Sequence, residues 1–227
     1  MGSTCALPPS AAELLAWLAS FPPRDRDAAI EARLGIVAPS AGAGTRPLGD
    51  HLVGYHPSGI APIVRALAEV PVGPDDVFVD LGSGLGKVVI LAALLTGAAA
   101  RGIELQPGLV AHARRAAARA GACVRFDVGD AREADLGDGS VFFLYLPFTG
   151  PALSAVLERL HDVAKRKTIV VCALGVDLDR ERWLARRAID AFWLSVYDSV
   201  VEGALPRRPA VPSMLPPIAR AVAHESR

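Results

Sequence analysis

Cysteine is scarce in this chain: three in 227 residues, Cys5, Cys123 and Cys172, none in a C-x-x-C spacing. That excludes a disulfide framework and a cysteine-based zinc site, so a reducing, cytoplasmic setting and no metal are expected. Net charge is absent too, with 24 Lys and Arg against 24 Asp and Glu. A neutral molecule has no general field to draw it to nucleic acid or to an anionic membrane, and either partner would need a local patch. The cluster Lys165-Arg166-Lys167 is too short to make one. Long apolar runs are missing as well. The longest, Val88 to Leu95, falls far short of the roughly 20 residues that a spanning helix needs. No cationic segment precedes an apolar run at the N-terminus, so neither export nor membrane insertion is expected. Internal repeats are absent. What is present is a chain sized for one domain with an N-terminal extension, able to bury a core without staples.

Taken in order, Ser10 and Glu13 form a capping-box pattern ahead of the helical spacing Leu14, Leu15, Trp17 and Leu18. Phe21-Pro22-Pro23 breaks that helix, and Asp25 to Leu34 reads as a second one closed by Gly35. The two are expected to form a lid, joined by a Gly- and Pro-rich linker over 38–50 to a core that starts at His51. A helix over Ile60 to Val70 leads into an alternation: strands at Val77 to Asp80, Arg101 to Leu105, Cys123 to Phe126, Val141 to Tyr145 and Thr168 to Ala173, with helices between. Asp179 to Ala188 reads as a helix, and Phe192 to Glu202 as a hairpin-like pair closing the sheet. The whole predicts an α/β fold, a doubly wound, mostly parallel, seven-stranded Rossmann-like sheet with an N-terminal helical extension. The division is 1–50 extension, 51–203 core and 204–227 a Pro- and Arg-rich tail expected to be poorly ordered.

The stretch Val77 to Gly86, VFVDLGSGLG, carries the chemistry. A short strand ends in a loop with glycine at 82, 84 and 86, and an apolar helix, KVVILAALL, starts directly after it. Backbone N–H groups and the helix dipole then point at one place. A phosphate-cradling P-loop needs Ser or Thr after its lysine, and Lys87 is followed by Val88. The dinucleotide spacing G-x-G-x-x-G, started at Gly82, meets Lys87 where its third glycine belongs. What stands is Asp80-x-Gly82-x-Gly84-x-Gly86, with Glu104 at the end of the next strand, 18 residues beyond the last glycine. A carboxylate there suits a ribose diol, because it accepts from both hydroxyls.

At these residues the chain, from Tyr55 to Cys172, resembles the class I S-adenosylmethionine-dependent methyltransferases. The resemblance implies S-adenosyl-L-methionine as cofactor, held by Asp80, Gly82, Ser83, Gly84 and Gly86 around its methionine and ribose part and by Glu104 at the ribose. Gly129-Asp130-Ala131 matches the adenine motif, with Asp130 accepting from the exocyclic amine. Leu144 to Phe148, LYLPF, lies where the family keeps its substrate motif, which makes Tyr145, Leu146 and Phe148 the catalytic candidates. More narrowly, VFVDLGSGLGKVVILAA and GIELQP look like the first motif and continuation of the non-SET histone-lysine methyltransferases. FLYLPF is similar to a segment of small mitochondrial and bacterial lysine methyltransferases. In those relatives a tyrosine segment ahead of the first strand closes over the methionine end, a place filled here by Tyr55-His56-Pro57-Ser58, with Tyr55 and Ser58 at the cofactor. Many amine-directed members carry Asn or Asp where this chain has Leu146.

The expectation is a methyltransferase acting by in-line displacement on a methyl acceptor, a protein lysine or other amine. O- or N-methylation of a small metabolite and a non-catalytic cofactor-binding domain are the alternatives. A lysine acceptor must lose its proton, which costs about 4 to 5 kcal/mol at neutral pH, and an apolar pocket lowers that cost. Tyr145 and Phe148, with Phe142 or Phe143, Trp193 and Tyr197, are candidates to wall such a pocket, although Trp193 and Tyr197 suit a core better. His112 and His161 read as helix-surface residues, and Arg114, Arg115 and Arg119 as a solvated face.

Overall fold

A computed structural model describes residues 7–8, 10–37, 57–145, 148–191, 193–206 and 215–223. The N-terminal part supplies α1 (Ala11–Ala19), a single tight turn at Pro23–Asp25, and α2 (Arg26–Leu34). The Ser10 hydroxyl accepts from the Glu13 N–H at 3.3 Å and donates to the Glu13 carboxylate, so the expected cap forms. The chain then runs through α3 (Ile60–Glu69), β1 (Val77–Leu81), α4 (Lys87–Thr96), β2 (Ala99–Glu104) and α5 (Pro107–Ala120). It continues through β3 (Arg125–Val128), β4 (Val141–Tyr145), α6 (Gly150–Ala164), β5 (Val170–Leu174), β6 (Leu184–Arg186), β7 (Leu194–Ser199) and α7 (Ile218–Ala223).

The strands make one seven-stranded sheet in the order β3-β2-β1-β4-β5-β7-β6. β1 to β5 run parallel, and β7 lies antiparallel between β5 and β6. From β1 the chain steps outward to β2 and β3, then returns to lay β4 on the other side, so the crevice of the switch point opens at the C-terminal end of β1. Central strands are apolar on both faces because both are covered. On one face Phe78, Phe143, Cys172 and Val196 pack with α1 to α5 and α7; on the other Val79, Phe142, Val171 and Tyr197 pack with α6. Leu14, Leu15 and Leu18 of α1 and Ile30 and Leu34 of α2 belong to the first of these cores. Among the described residues no helix is long and apolar enough to cross a membrane.

Four expectations are corrected. Residues 179–188 are not a helix: a turn leads into β6, which pairs with β7. The Asp177 carboxylate accepts from the Asp179 N–H, a local turn that competes with helix, and the open edge of β7 supplies the backbone partners that outweigh helix propensity. The segment 192–202 holds one strand rather than a pair, since the hairpin lies between β6 and β7. Within the tail, Leu205 bridges to Lys167, and α7 buries Ala219, Val222 and Ala223 against the first core. His161 is not merely on a helix surface either: it stacks on Trp183 with ring centroids 4.9 Å apart.

Candidate functional site

The glycine loop is built by β1 and braced by β2. Gly82, Gly84 and Gly86 all have positive φ, at 86°, 52° and 84°, a region that a side chain rarely adopts. The N–H groups of Gly82 and Ser83 both donate to the Ile103 carbonyl, at 2.9 and 3.0 Å, and that of Gly86 donates to the Ser83 carbonyl at 2.8 Å. Gly86 is needed for space as well as for its φ: a Cβ there would lie 2.6 Å from Phe126 Cζ and 2.9 Å from Ala113 Cβ. A glycine in the middle of β2 has the same kind of role. A Cβ on Gly102 would stand 2.5 Å from Ser83 Cβ, so this gap in the strand is what lets the buried Ser83 side chain sit beneath the loop. The Ser83 Oγ is buried without a hydrogen-bond partner among the described residues.

Three carboxylates gather at the strand ends. Asp80, paired in register with Gly102 of β2 and Phe143 of β4, is 3% exposed, and its carboxyl is pushed up to about 8 by burial and by the neighbouring Glu104. Glu104 ends β2. Its Oε2 accepts from the Gly84 N–H at 3.0 Å and its Oε1 from the Gln106 N–H at 2.8 Å. Burial raises its pKa, and those backbone N–H groups pull the other way. The Glu104 carbonyl in turn accepts from the Gly129 N–H at 3.0 Å, which brings the loop after β3 beside it. Asp130 in that loop is chelated by Arg132 through its side chain and its N–H, and the guanidinium holds its carboxyl below the usual range. Ala131 is buried in the second core. A cleft of about 370 Å³ opens beside Asp130, lined by Arg101, Ile103, Asp127, Gly129 and Ala134 among others.

The acceptor-side candidates are more dispersed. Tyr145, half-buried at the end of β4, packs on the first core, while Phe148 is buried in the second, so the two fall on opposite faces of the sheet. Phe142, Phe143 and Tyr197 are fully buried, and the Tyr197 hydroxyl donates to Asp179 while accepting from the Leu178 N–H. Trp193 is half-buried against the first core. Ser58 is buried just ahead of α3. Tyr55, His56 and Leu146 lie outside the described residues.

Two contributors escaped the sequence reading. Gly102 opens the stretch GIELQP, but nothing in that stretch tells that its missing Cβ makes room for Ser83. Lys87 was visible as the lone cation of an apolar helix, but its partners, Asp27 and Glu31, lie far upstream on α2.

These groups suit a nucleoside bearing a ribose diol: a loop with glycine at three of its five positions, a carboxylate with lone pairs left beside it, an unpartnered hydroxyl, and a second carboxylate kept ionised. The comparisons point the same way. A methyltransferase-domain family model matches residues 78–167. An RNA methyltransferase from Salinibacter ruber, solved with S-adenosyl-L-homocysteine, is 33% identical, with a TM-score of 0.51 over 65% of this chain and 95% of that one. The chain belongs to the class I S-adenosylmethionine-dependent methyltransferases. A structure from work on the conversion of a disulfide bond into a thioacetal group in echinomycin biosynthesis shares the fold at 20% identity and a TM-score of 0.52, covering 63% of this methyltransferase and 83% of that chain. Histone-lysine N-methyltransferases specific for H3 lysine-79, from two strains of Cryptococcus neoformans var. neoformans serotype D, are 45% identical over 51 residues. That stretch is 22% of the methyltransferase and spans only 8% of the length of those curated relatives. The matched 78–167 runs from β1 to just beyond α6 and leaves out α1 to α3, β5, β6, β7 and α7.

Proposed function

We propose that this protein methylates an amine, a protein lysine side chain, with S-adenosylmethionine as donor. The observation that carries the reading is the grouping of the glycine loop, Glu104 and Asp130 at the C-terminal ends of three adjacent strands, with Glu104 hydrogen-bonded into the loop. Bound there, the cofactor supplies a methyl group on a positively charged sulfur, open to in-line attack. Asp80, Gly82, Ser83, Gly84 and Gly86 surround its methionine end in this reading, and Tyr55 and Ser58 close over it. Each Glu104 oxygen already accepts one backbone N–H and keeps lone pairs for the ribose hydroxyls. Asp130, ionised by Arg132, accepts from the adenine amine, with Ala131 packed beneath. Residues 1–50 form an extension that shields the site, 51–203 the catalytic core, and 204–227 a tail.

On the acceptor side, Tyr145 ends β4, whose other residues are all buried and apolar, and Leu146 and Phe148 come after it in the chain. An apolar approach disfavours the ammonium form, and the lysine has about 4 to 5 kcal/mol of deprotonation to recover at neutral pH. Backbone carbonyls after β4 orient the amine, and no dedicated general base is invoked. The 45% identical stretch in the H3 lysine-79 enzymes supports this choice. The similarity to the Salinibacter ruber protein supports a second reading, an RNA acceptor, against which the zero net charge weighs. Incubation with methyl-labelled S-adenosylmethionine and separated protein, RNA and small-molecule fractions of a lysate decides. Methyl-lysine recovered from hydrolysed protein supports the proposal. Label confined to RNA establishes the second reading, label confined to small molecules a metabolite acceptor, and binding without any transfer a non-catalytic domain.

A further inference from the structure

Lys87 occupies a position that ordinary rules disfavour. It is the first residue of α4, where the helix dipole is positive, and it is 5% exposed. Two carboxylates offset both penalties. The ammonium donates to Asp27 Oδ1 at 2.8 Å and to Glu31 Oε1 at 2.5 Å, residues one turn apart on a single face of α2. The same Asp27 oxygen accepts from the Ile60 N–H at 2.9 Å. Gly59, the residue at the start of α3, has no side chain to cap that helix, so Asp27 caps it from another element. One carboxylate thus ties together the helix that leaves the glycine loop and the helix that follows the segment ending in the buried Ser58.

The other side of α2 is fixed as firmly. Arg26 donates to the Ala221 and Val222 carbonyls of α7, at 3.1 and 3.2 Å, and α7 packs against α1 and α3. The C-terminal end of α2 lies against α5, where the Arg119 guanidinium covers Gly35. α2 is therefore held in place independently of Lys87, and Lys87 is where that rigid support meets the loop.

We infer that Lys87, gripped by Asp27 and Glu31, is a positioning residue for the cofactor: it fixes the first turn of α4, and with it Gly84 and Gly86, to the N-terminal helices. The inference rests on the assignment of the glycine loop to S-adenosylmethionine. A conformational support of this kind acts on affinity, because a loop that samples other orientations binds in proportion to its competent fraction.

The test is the dissociation constant of S-adenosyl-L-homocysteine, by calorimetry on the full chain, well below the melting temperature of each variant. Lys87→Met, which keeps length and removes charge, should weaken binding by about tenfold or more, and Lys87→Arg should restore most of it. The pair Asp27→Asn with Glu31→Gln should match Lys87→Met. These two side chains are partly exposed, so their variants decide the matter if Lys87→Met does not fold. Lowered melting temperatures with affinity unchanged in the variants that fold would overturn the inference, leaving the triad a purely structural device. Gly84→Val tests the underlying assignment separately: unimpaired binding there refutes the loop itself, whatever Lys87 does.

Discussion

At the scale of single residues, Asp80 sets folding against ionisation. Its carboxyl titrates near 3.8 when exposed and at about 8 in the folded protein. Across that window the unfolded chain releases a proton that the native state keeps, so this residue lowers stability progressively as pH rises from about 4 to about 8. Asp80→Asn keeps the shape and removes the titration. Its stability advantage over the parent should widen between about pH 5 and pH 8, by at most about 1.4 kcal/mol per pH unit, in urea melts at several pH values. A difference that stays flat contradicts the buried, protonated state. Gly86 is constrained twice, by its φ and by Phe126. Gly86→Ala should cost about 1 to 3 kcal/mol from backbone strain alone. A further loss from the contact with the ring should be relieved in part by Phe126→Leu, and chemical denaturation of the single and double variants separates the two components. Asp80 and the three loop glycines were legible because their chemistry and spacing coincide within one short stretch. The role of Gly102 was not, since the side chain it makes room for, Ser83, sits on another segment.

At the scale of elements, the alternation of strand and helix from β1 to β5 was readable from period and turn residues. Glu104 could be placed because it ends β2, and Asp130 because it lies in the loop directly after β3. β6 and α7 were hidden for opposite reasons. The residues of β6 favour helix, and only β7 makes them a strand. Those of α7 are too few to nucleate a helix alone, and packing against α3 together with Arg26 at its last carbonyls holds them in place. Arg26→Met keeps the aliphatic stem but withdraws the cation from the helix end. It should destabilise the protein by about 1.5 to 3 kcal/mol, as expected for hydrogen bonds from a charged donor. Amide exchange in 218–223 should accelerate more than exchange in β1 or β4. Equal acceleration everywhere would mean that α7 does not open as a separate unit.

At the scale of the molecule, the balance of charge is local as well as global. Arg101 pairs with Asp138, Arg125 with Asp127, Arg132 with Asp130, Arg186 with Asp179, Arg187 with Asp198 and Lys165 with Asp162. Cations so neutralised have little left to exchange for the counterions of a polyanion, and counterion release is what makes nucleic-acid binding steeply sensitive to salt. The two acceptor readings therefore part in one measurement. An enzyme acting on a protein lysine should lose less than about tenfold in the rate of label incorporation between about 50 and 200 mM salt, because a neutral surface gains little from steering. An enzyme gripping RNA through six to ten phosphates should lose about 10³-fold or more in affinity over the same range. Measured with subsaturating acceptor, so that the rate follows affinity, a shallow slope upholds the amine reading. A steep one overturns it in favour of the RNA acceptor.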